Sequence, residues 1–212
     1  MNQKERFFNL IIAAVFFILL IVLSTLVHND FFRNFDYFSM LQVQEIQSPA
    51  IDYIFSVFTL LGSSELILFF ILIIFAILNF KIKKPVLAPW LYILIYPLEI
   101  LGKLIVYHPK PPVFLNRYVF EFHLPSSFII ETSYSYPSGH MARTAFLISL
   151  LLLFVRKSRL NKNRKKLLFL LLSFYLVIMF VSRIYLGEHW FSDVLGGTLL
   201  GFVIARLSFI LW

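Results

Sequence analysis

The sequence predicts an all-α membrane protein whose single domain, residues 1–212, is a bundle of six transmembrane helices. The first reason is composition, because 60% of the residues are hydrophobic and the mean hydropathy is +0.85. The second is that the apolar residues fall into long runs, and the third is that basic residues gather between those runs. Cysteine is absent, which excludes disulfides, thiolate metal ligands and a cysteine nucleophile.

The apolar runs are each long enough, or nearly so, to cross about 30 Å of hydrocarbon as an α-helix. They lie near residues 7–27, 64–80, 85–107, 140–155, 167–186 and 191–211. The first run is long for the apolar part of a signal peptide, and no small-x-small cleavage site follows it. We therefore expect it to be a retained transmembrane helix.

Two long connections separate these runs. Residues 28–63 contain an aromatic, partly amphipathic stretch, FFRNFDYFSML, which we expect at the membrane interface. The later stretch IDYIFSVFTLLG is too short to span a membrane alone. Residues 108–139 contain several prolines, which predicts a loop, and we expect the aromatic and aliphatic side chains of 111–136 to cover a lipid.

Basic residues indicate the orientation of the chain. With six crossings, the basic clusters before the first run, between the second and third, and between the fourth and fifth fall on one side of the membrane. They comprise Lys4, Arg6, Lys81, Lys83, Lys84, Arg156, Lys157, Arg159, Lys162, Arg164, Lys165 and Lys166. The positive-inside rule places this side, and both termini, in the cytoplasm. Membrane topology thus accounts for the net charge of +8, and no nucleic-acid partner is expected.

Polar residues collect at the helix ends that this topology turns outward. They are Lys103, Lys110, Ser138, Gly139, His140, Ser182, Arg183, His189 and Asp193. Ionisable side chains at membrane depth are costly unless they serve a site or pair with one another. His189 and Asp193 are four residues apart, so a carboxylate can fix the tautomer of a nucleophilic imidazole. Cations beside a glycine at a helix start are suited to binding phosphate.

Three motifs resemble the signature of the type 2 phosphatidic acid phosphatase superfamily, also called lipid phosphate phosphatases. Residues 103–111 read K-x6-K-P, residues 137–140 read P-S-G-H, and residues 182–193 read S-R-x5-H-x3-D. The first motif departs from the family pattern, because Lys110 stands where the family usually has arginine. Lysine keeps the charge but loses the planar two-point grip on phosphate, for which Arg117 or His108 could compensate.

The resemblance implies a phosphohistidine mechanism without a metal or another cofactor. By this analogy His189 attacks phosphorus, Asp193 orients His189, and His140 protonates the departing lipid oxygen. The phosphate-binding residues implied by the resemblance are Lys103, Lys110, Ser138, Gly139 and Arg183. Ser182 and Arg143 are further candidates for substrate contact.

Other residues near the motifs have structural alternatives. Arg143 is expected either to contact a second phosphate of a diphosphate or to pair with an acid such as Glu131 or Glu188. Glu99 is expected to pair with Lys103, four residues away. Two sets are expected to be non-catalytic, namely the histidines His28, His108 and His123 and the helix-packing glycines Gly196, Gly197 and Gly201.

The leading functional hypothesis is a cell-membrane phosphatase that hydrolyses a lipid phosphomonoester or diphosphate in the outer leaflet. Candidate substrates are phosphatidic acid, phosphatidylglycerophosphate, sphingoid phosphates and polyprenyl diphosphates such as undecaprenyl diphosphate. A lipid phosphotransferase is an alternative, because its first half-reaction is identical. A non-catalytic anion transporter is a third hypothesis, against which stands the gathering of the polar residues on one side of the membrane.

Overall fold

The structure, a computed structural model, describes residues 2–82, 88–119 and 132–211, with the side chains of 81, 82 and 88 outside the description. Within these ranges the chain forms α-helices and short 3-10 helices and contains no β-strand, which confirms the predicted all-α class. The α-helices are α1 (Gln3–His28), α2 (Arg33–Gln44), α3 (Pro49–Thr59), α4 (Ser64–Ile82), α5 (Ile95–Ile105), α6 (Gly139–Lys157), α7 (Lys162–Tyr185) and α8 (Phe191–Ile210).

Helices α1, α6, α7 and α8 are each long and apolar enough to cross a membrane. Helix α3 with the 3-10 turn Leu60–Gly62 forms a pair with α4 that meets the same criterion but is bent by 47°, so the described ranges contain four or five candidate spans. Helices α1, α4, α6, α7 and α8 coincide with five of the predicted runs, with ends that differ by a few residues. The chain is therefore a membrane protein with several apolar helices.

The described part of the third predicted run, residues 88–107, is not one continuous α-helix. Ala88–Leu94 form a 3-10 helix, and the α-helix that follows, α5, has only 11 residues. Pro97 in the first turn of α5 accounts for the division. Proline has no N–H to bond the carbonyl four residues earlier, and its ring clashes with that carbonyl. The sequence prediction of a single helix here is corrected accordingly.

Helices α6 and α8 form the centre of the bundle. Helix α8 packs extensively against both α1 and α6. A Cβ atom on Gly197 would collide with the carbonyl oxygen of Ser138, and one on Gly201 would collide with that of Ala142. The two glycines therefore let the backbones of α6 and α8 approach closely, which confirms their predicted packing role.

Apolar side chains fill the space between the central helices. Tyr92, Phe146 and Ile204 belong to one buried cluster that includes residues of α4, α6 and α8. By contrast, α1 and α7 expose large apolar side chains such as Phe17 and Phe174. Extended exposed apolar surface of this kind is typical of contact with lipid tails.

The linker of residues 28–63 is joined to the bundle by buried polar side chains. In α2 the side-chain amide of Gln44 donates to the carbonyl oxygens of Leu115 and Tyr185, at 2.8 Å each. The interfacial position expected for α2 stays a prediction. Part of the lipid-covering loop expected at 111–136 lies outside the described residues, together with His123 and Glu131.

The two ends of the bundle differ in charge. At one end a groove of about 990 Å³ is lined by residues of α1, α6, α7 and α8. Its basic lining residues are Arg156, Lys157, Lys162, Lys165, Lys166 and Arg206. The sequence motifs lie at the other end, where α5 and α7 end and α6 and α8 begin. The helix ends that the charge pattern predicted on the outer side of the membrane therefore lie at the same end of the bundle.

The substitution Gly201→Ala tests the close contact between α6 and α8. Helix propensity alone would favour alanine over glycine by about 1 kcal/mol. The added methyl group would press on the Ala142 carbonyl and lie 2.8 Å from the Cβ of Ala145, so we expect destabilisation by about 1–3 kcal/mol instead. Thermal unfolding in detergent measures the sign, and a melting temperature at or above that of the wild type would contradict the packing.

Candidate active site

The start of α6 is held between α5 and α8. The backbone N–H of Ser138 donates to the carbonyl oxygen of Asp193 at 3.0 Å, which joins the P-S-G-H motif to the first turn of α8. On the other side, the Glu99 carboxylate lies against Gly139, where a Cβ atom would collide with both carboxylate oxygens. Glycine is required here because only a residue without a side chain leaves room for that carboxylate.

His189 is positioned by the tight turn between α7 and α8. Gly187 has a φ of +71°, a conformation that favours glycine, and the His189 N–H donates to the Arg183 carbonyl at 3.3 Å. Nδ1 of His189 lies 3.3 Å from Oδ2 of Asp193, which also accepts the N–H of Trp190 at 3.0 Å. Because Nδ1 faces the carboxylate, Nε2 is turned away from it.

Burial is the main influence on the acidity of His189. It disfavours the charged imidazolium and, with the Arg183 and Lys103 cations, outweighs the opposing effect of Asp193. The pKa of His189 therefore lies below its ordinary value. The ring is neutral at pH 7, which is the form that acts as a nucleophile.

Asp193 also contacts a second histidine, which the sequence analysis had expected to be non-catalytic. Nδ1 of His108 lies 2.7 Å from Oδ1 of Asp193, and its Nε2 lies 3.5 Å from Oδ2 of Asp36 in α2. Burial acts to lower the pKa of His108, but the hydrogen bonds with Asp193 and Asp36 outweigh it and raise the pKa to about 9. His108 is therefore a cation between two carboxylates at neutral pH.

Asp36 is itself anchored to α8. Its oxygens accept the backbone N–H of Ser192 at 2.8 Å and the Ser192 hydroxyl at 2.7 Å. A buried chain of contacts thus runs from Asp36 through His108 and Asp193 to His189. The only sequence signal for His108 was its position between the two lysines of the first motif, and Asp36 carried no such signal.

Arg183 is fully buried and has partners on three other segments. Nη1 donates to the hydroxyl oxygens of Thr59 and Tyr118, and Nη2 pairs with the Glu188 carboxylate. Its Nε is buried without a hydrogen-bond partner among the described residues, and so is the hydroxyl of Ser138. Buried polar atoms are nearly always paired, so these two atoms are available to a ligand.

Glu99 connects two cations of the site. Nζ of Lys103 donates to Oε1 at 2.8 Å, as predicted, and Nη1 of Arg143 donates to Oε2 at 2.7 Å. The partner of Arg143 is therefore Glu99 and not Glu188, which pairs elsewhere. Glu99 and Arg143 are 44 residues apart, so no local spacing rule could have paired them.

His140 lies partly exposed in the first turn of α6, near the other site residues. It is within electrostatic range of Arg183, Arg143, His189 and Lys103. The structure thus brings most of the predicted site residues to one end of the bundle, whereas their chemical roles remain predictions. Within the described ranges, no group of three or more His, Asp or Glu side chains is arranged to hold a metal ion.

Lys110 and Ser182 are the two remaining residues that were predicted to contact phosphate or substrate. Lys110 is exposed and lines a cavity of about 480 Å³ beside Trp190, whose Nε1 donates to the Pro109 carbonyl at 2.8 Å. Because prolines flank Lys110, its backbone direction is restricted. Ser182 is buried, and its hydroxyl donates to the Met179 carbonyl at 2.8 Å within α7. Whether either residue contacts the substrate stays a prediction.

A sequence profile of the PAP2 superfamily matches residues 88–212, which include all three motifs. The chain belongs to the PAP2 superfamily. Phosphatidylglycerophosphatase B of Bacillus subtilis is 37% identical over 76 residues, which cover 35% of this chain and 37% of the relative. Phosphatidylglycerophosphatase B of Haemophilus influenzae is 39% identical over 82 residues, which cover 37% of this chain and 33% of the relative. Each match thus spans only about a third of the relative's length.

Two solved structures show the same fold over most of the chain. The crystal structure of a transmembrane PAP2-type phosphatidylglycerolphosphate phosphatase from Bacillus subtilis superposes with a TM-score of 0.76 at 24% identity, covering 92% of this chain and 93% of that one. Aquifex aeolicus LpxE superposes with a TM-score of 0.58 at 21% identity, covering 80% and 92%. At these identities the likeness establishes the fold.

The pKa of His108 predicts how stability depends on pH. Because the pKa is about 9 in the folded protein and 6.5 ordinarily, the stabilisation is complete below about pH 6.5 and is lost as the pH rises through about 9. We expect His108→Gln to lower the free energy of unfolding by about 2 kcal/mol at pH 6 and to match the wild type near pH 10. Thermal unfolding in detergent across this range measures the difference.

The control for this experiment is His28→Gln. His28 is exposed and its ring accepts the Tyr107 N–H at 3.0 Å, outside the carboxylate network. Its substitution should leave the pH dependence of unfolding unchanged. If the difference in free energy of unfolding between the wild type and His108→Gln stayed constant from pH 6 to pH 10, His108 would not be a cation between Asp193 and Asp36.

Proposed function

We propose that this PAP2 protein is a membrane lipid phosphatase that works through a phosphohistidine intermediate. The observation that supports the proposal most is the His189–Asp193 pair, whose imidazole lies within electrostatic range of Arg183 and Lys103 and of a second imidazole, His140. An oriented nucleophile, a set of cations and a proton donor are the groups that phosphoryl transfer requires.

In the first step, Nε2 of His189 attacks the substrate phosphorus. A nitrogen–phosphorus bond forms while the bond from phosphorus to the lipid oxygen breaks. Asp193 stabilises the positive charge that develops on the ring, because its carboxylate faces Nδ1. His140 donates a proton to the leaving oxygen, so the lipid departs as an alcohol or, from a diphosphate, as a monophosphate.

In the second step, water attacks the phosphohistidine and inorganic phosphate leaves. His140, now deprotonated, accepts a proton from this water, which restores both histidines. The non-bridging phosphoryl oxygens are held in both steps by Lys103, Nε of Arg183, the Ser138 hydroxyl and the Gly139 N–H. The buried donors on Arg183 and Ser138 that have no partner in the described part of the chain support this assignment.

Lys110 is not part of this proposed phosphate cradle. Its side chain is exposed, and it lines the cavity beside Trp190. A cation in such a position attracts anionic headgroups to the surface of the protein. We therefore assign Lys110 to substrate attraction, where lysine serves as well as arginine.

We further propose that the site faces the outside of the cell and that both termini are cytoplasmic. The basic groove at the other end of the bundle supports this orientation through the positive-inside rule. With this orientation, the headgroup of a lipid in the outer leaflet reaches the site from outside the cell.

Labelling of single cysteines tests the orientation, because the natural chain contains none. Ser133→Cys is exposed near the start of α6, and Lys162→Cys is exposed at the start of α7. We expect a membrane-impermeant maleimide to label Ser133→Cys in intact cells and Lys162→Cys only after lysis. The reverse pattern would place the site in the cytoplasm.

The substrate proposed first is phosphatidylglycerophosphate, because both curated relatives are phosphatidylglycerophosphatases B. Phosphatidic acid and undecaprenyl diphosphate belong in the same assay, since each presents a terminal phosphoryl group on a lipid. Phosphate release by the purified protein should persist in EDTA, because the proposed nucleophile is a histidine. Strict dependence on added metal would contradict the mechanism.

His189→Ala is the decisive variant. We expect phosphate release to fall by about a thousandfold or more, because the nucleophile is removed, while the melting temperature changes little. His28→Ala is the matched control and should retain wild-type turnover, since the exposed His28 ring accepts the Tyr107 N–H and has no proposed role in the reaction. Substantial turnover in His189→Ala would overturn the mechanism.

Labelled phosphate that appeared on a second lipid in the wild type would indicate a transferase instead.

A further inference from the structure

Glu99 lies where the site would otherwise hold an anion. Its oxygens accept hydrogen bonds from Lys103 at 2.8 Å and Arg143 at 2.7 Å, and they lie against Gly139 at the start of α6. The carboxylate is also within electrostatic range of His189. Cations and the first turn of a helix attract an anion, and here a side chain of the protein supplies it.

Arg143 has more capacity for binding than Glu99 uses. Arg143 is only 5% exposed, and its Nε is buried without a hydrogen-bond partner among the described residues. The guanidinium lies over the ring of Tyr96, with 5.6 Å from Cζ to the ring centroid, which limits its freedom. Because a guanidinium can bind more than one oxygen, the unused donor leaves Arg143 able to bind a further oxygen besides the one that Glu99 supplies.

Charge and position indicate which anion this is. Lys103 and Arg143 bring two positive charges to the single negative charge of Glu99. Arg143 follows His140 by three residues, so both side chains lie on the same face of α6, with Arg143 one turn further from the helix start. A group bound at Arg143 would therefore lie on the side of the leaving oxygen that His140 protonates. In a lipid diphosphate, that oxygen belongs to the second phosphate.

We propose that Arg143, together with Lys103, forms a second anion subsite for the non-reacting phosphate of a lipid diphosphate, and that Glu99 closes this subsite in the ligand-free protein. The proposal rests on the function proposed above, because it assigns the terminal phosphate to His189. The non-reacting phosphate displaces the Glu99 carboxylate from Arg143, and Lys103 is shared between the two phosphates. A lipid with a single phosphate group, such as phosphatidic acid, has no second anion, so Glu99 stays on Arg143. Glu99 thus sets the preference between the two substrate classes.

Binding without turnover tests the subsite directly. In the full chain carrying His189→Ala, calorimetry measures the dissociation constants of methylenediphosphonate, which carries two anionic groups, and of methylphosphonate, which carries one. Glu99→Gln removes the competing charge with little change in shape. We expect it to tighten diphosphonate binding by about tenfold, the effect of one charge-assisted hydrogen bond, and monophosphonate binding by much less.

The matched control is the double variant Glu99→Gln with Arg143→Gln. This double variant has the same net charge as the His189→Ala protein but lacks the guanidinium. The gain in diphosphonate affinity expected for Glu99→Gln should therefore disappear. If Glu99→Gln does not fold, Glu99→Asp replaces it, because the shorter acid keeps the charge but reaches the two cations less well. Like Glu99→Gln, that variant should raise the ratio of diphosphonate to monophosphonate affinity.

Two results would overturn the subsite. One is weaker binding of both anions in Glu99→Gln, which would show that Glu99 only holds Lys103 and Arg143 in place. The other is an unchanged affinity ratio in every variant. Assays of phosphate release in the His189-containing protein separate this proposal from the broader one. If no lipid phosphate is hydrolysed but the affinity ratio responds as expected, the proposed function fails and the subsite stands.

Discussion

The site depends on the close approach of α6 and α8. The N–H of Ser138 reaches the Asp193 carbonyl only because Gly197 presents no side chain to the Ser138 carbonyl. This contact fixes the residue two positions before His140 to the residue four positions after His189, and so it sets the relation between the two imidazoles. In a bilayer, where apolar burial does not drive helices together, small residues at the interface are what permit such an approach. The glycines of α8 are therefore as much part of the site as its polar residues.

Asp193 is the point at which the surrounding segments meet. A fully buried carboxylate is tolerated only when its oxygens are paired, and this one has the rings of His108 and His189 and the N–H of Trp190. The contact with His108 extends to Asp36, so the loop after α5 and helix α2 are tied to the first turn of α8. The orientation of the proposed nucleophile consequently depends on residues far from it in sequence.

The sequence could identify the parts of the site whose geometry is local. His189 and Asp193 share a helix face because they are four residues apart, and the P-S-G-H motif marks a helix start. Pairs between distant segments were beyond such rules, since His108 and Asp193 are 85 residues apart and Glu99 and Arg143 are 44 apart. Residue type and spacing also do not give the direction of a side chain, so the exposure of Lys110 beside Trp190 could not be read from the sequence. The division of the third run was readable in principle, because Pro97 restricts the helix there.

In the ligand-free protein, carboxylates partner the cations of the site. Arg183 is paired with Glu188, and Arg143 is paired with Glu99. Unpaired cations at this depth would be costly, so acids near them stabilise the empty site, and a phosphate must compete with those acids to bind. The two pairs are unequal, because the side chain of Glu188 is 35% exposed and that of Glu99 is 12% exposed. Glu188 reaches water more easily than Glu99 does, but each acid leaves its arginine only if the arriving anion takes over its contacts. Under the proposed function, the reacting phosphate therefore displaces the more exposed acid, and the second anion displaces the more buried one.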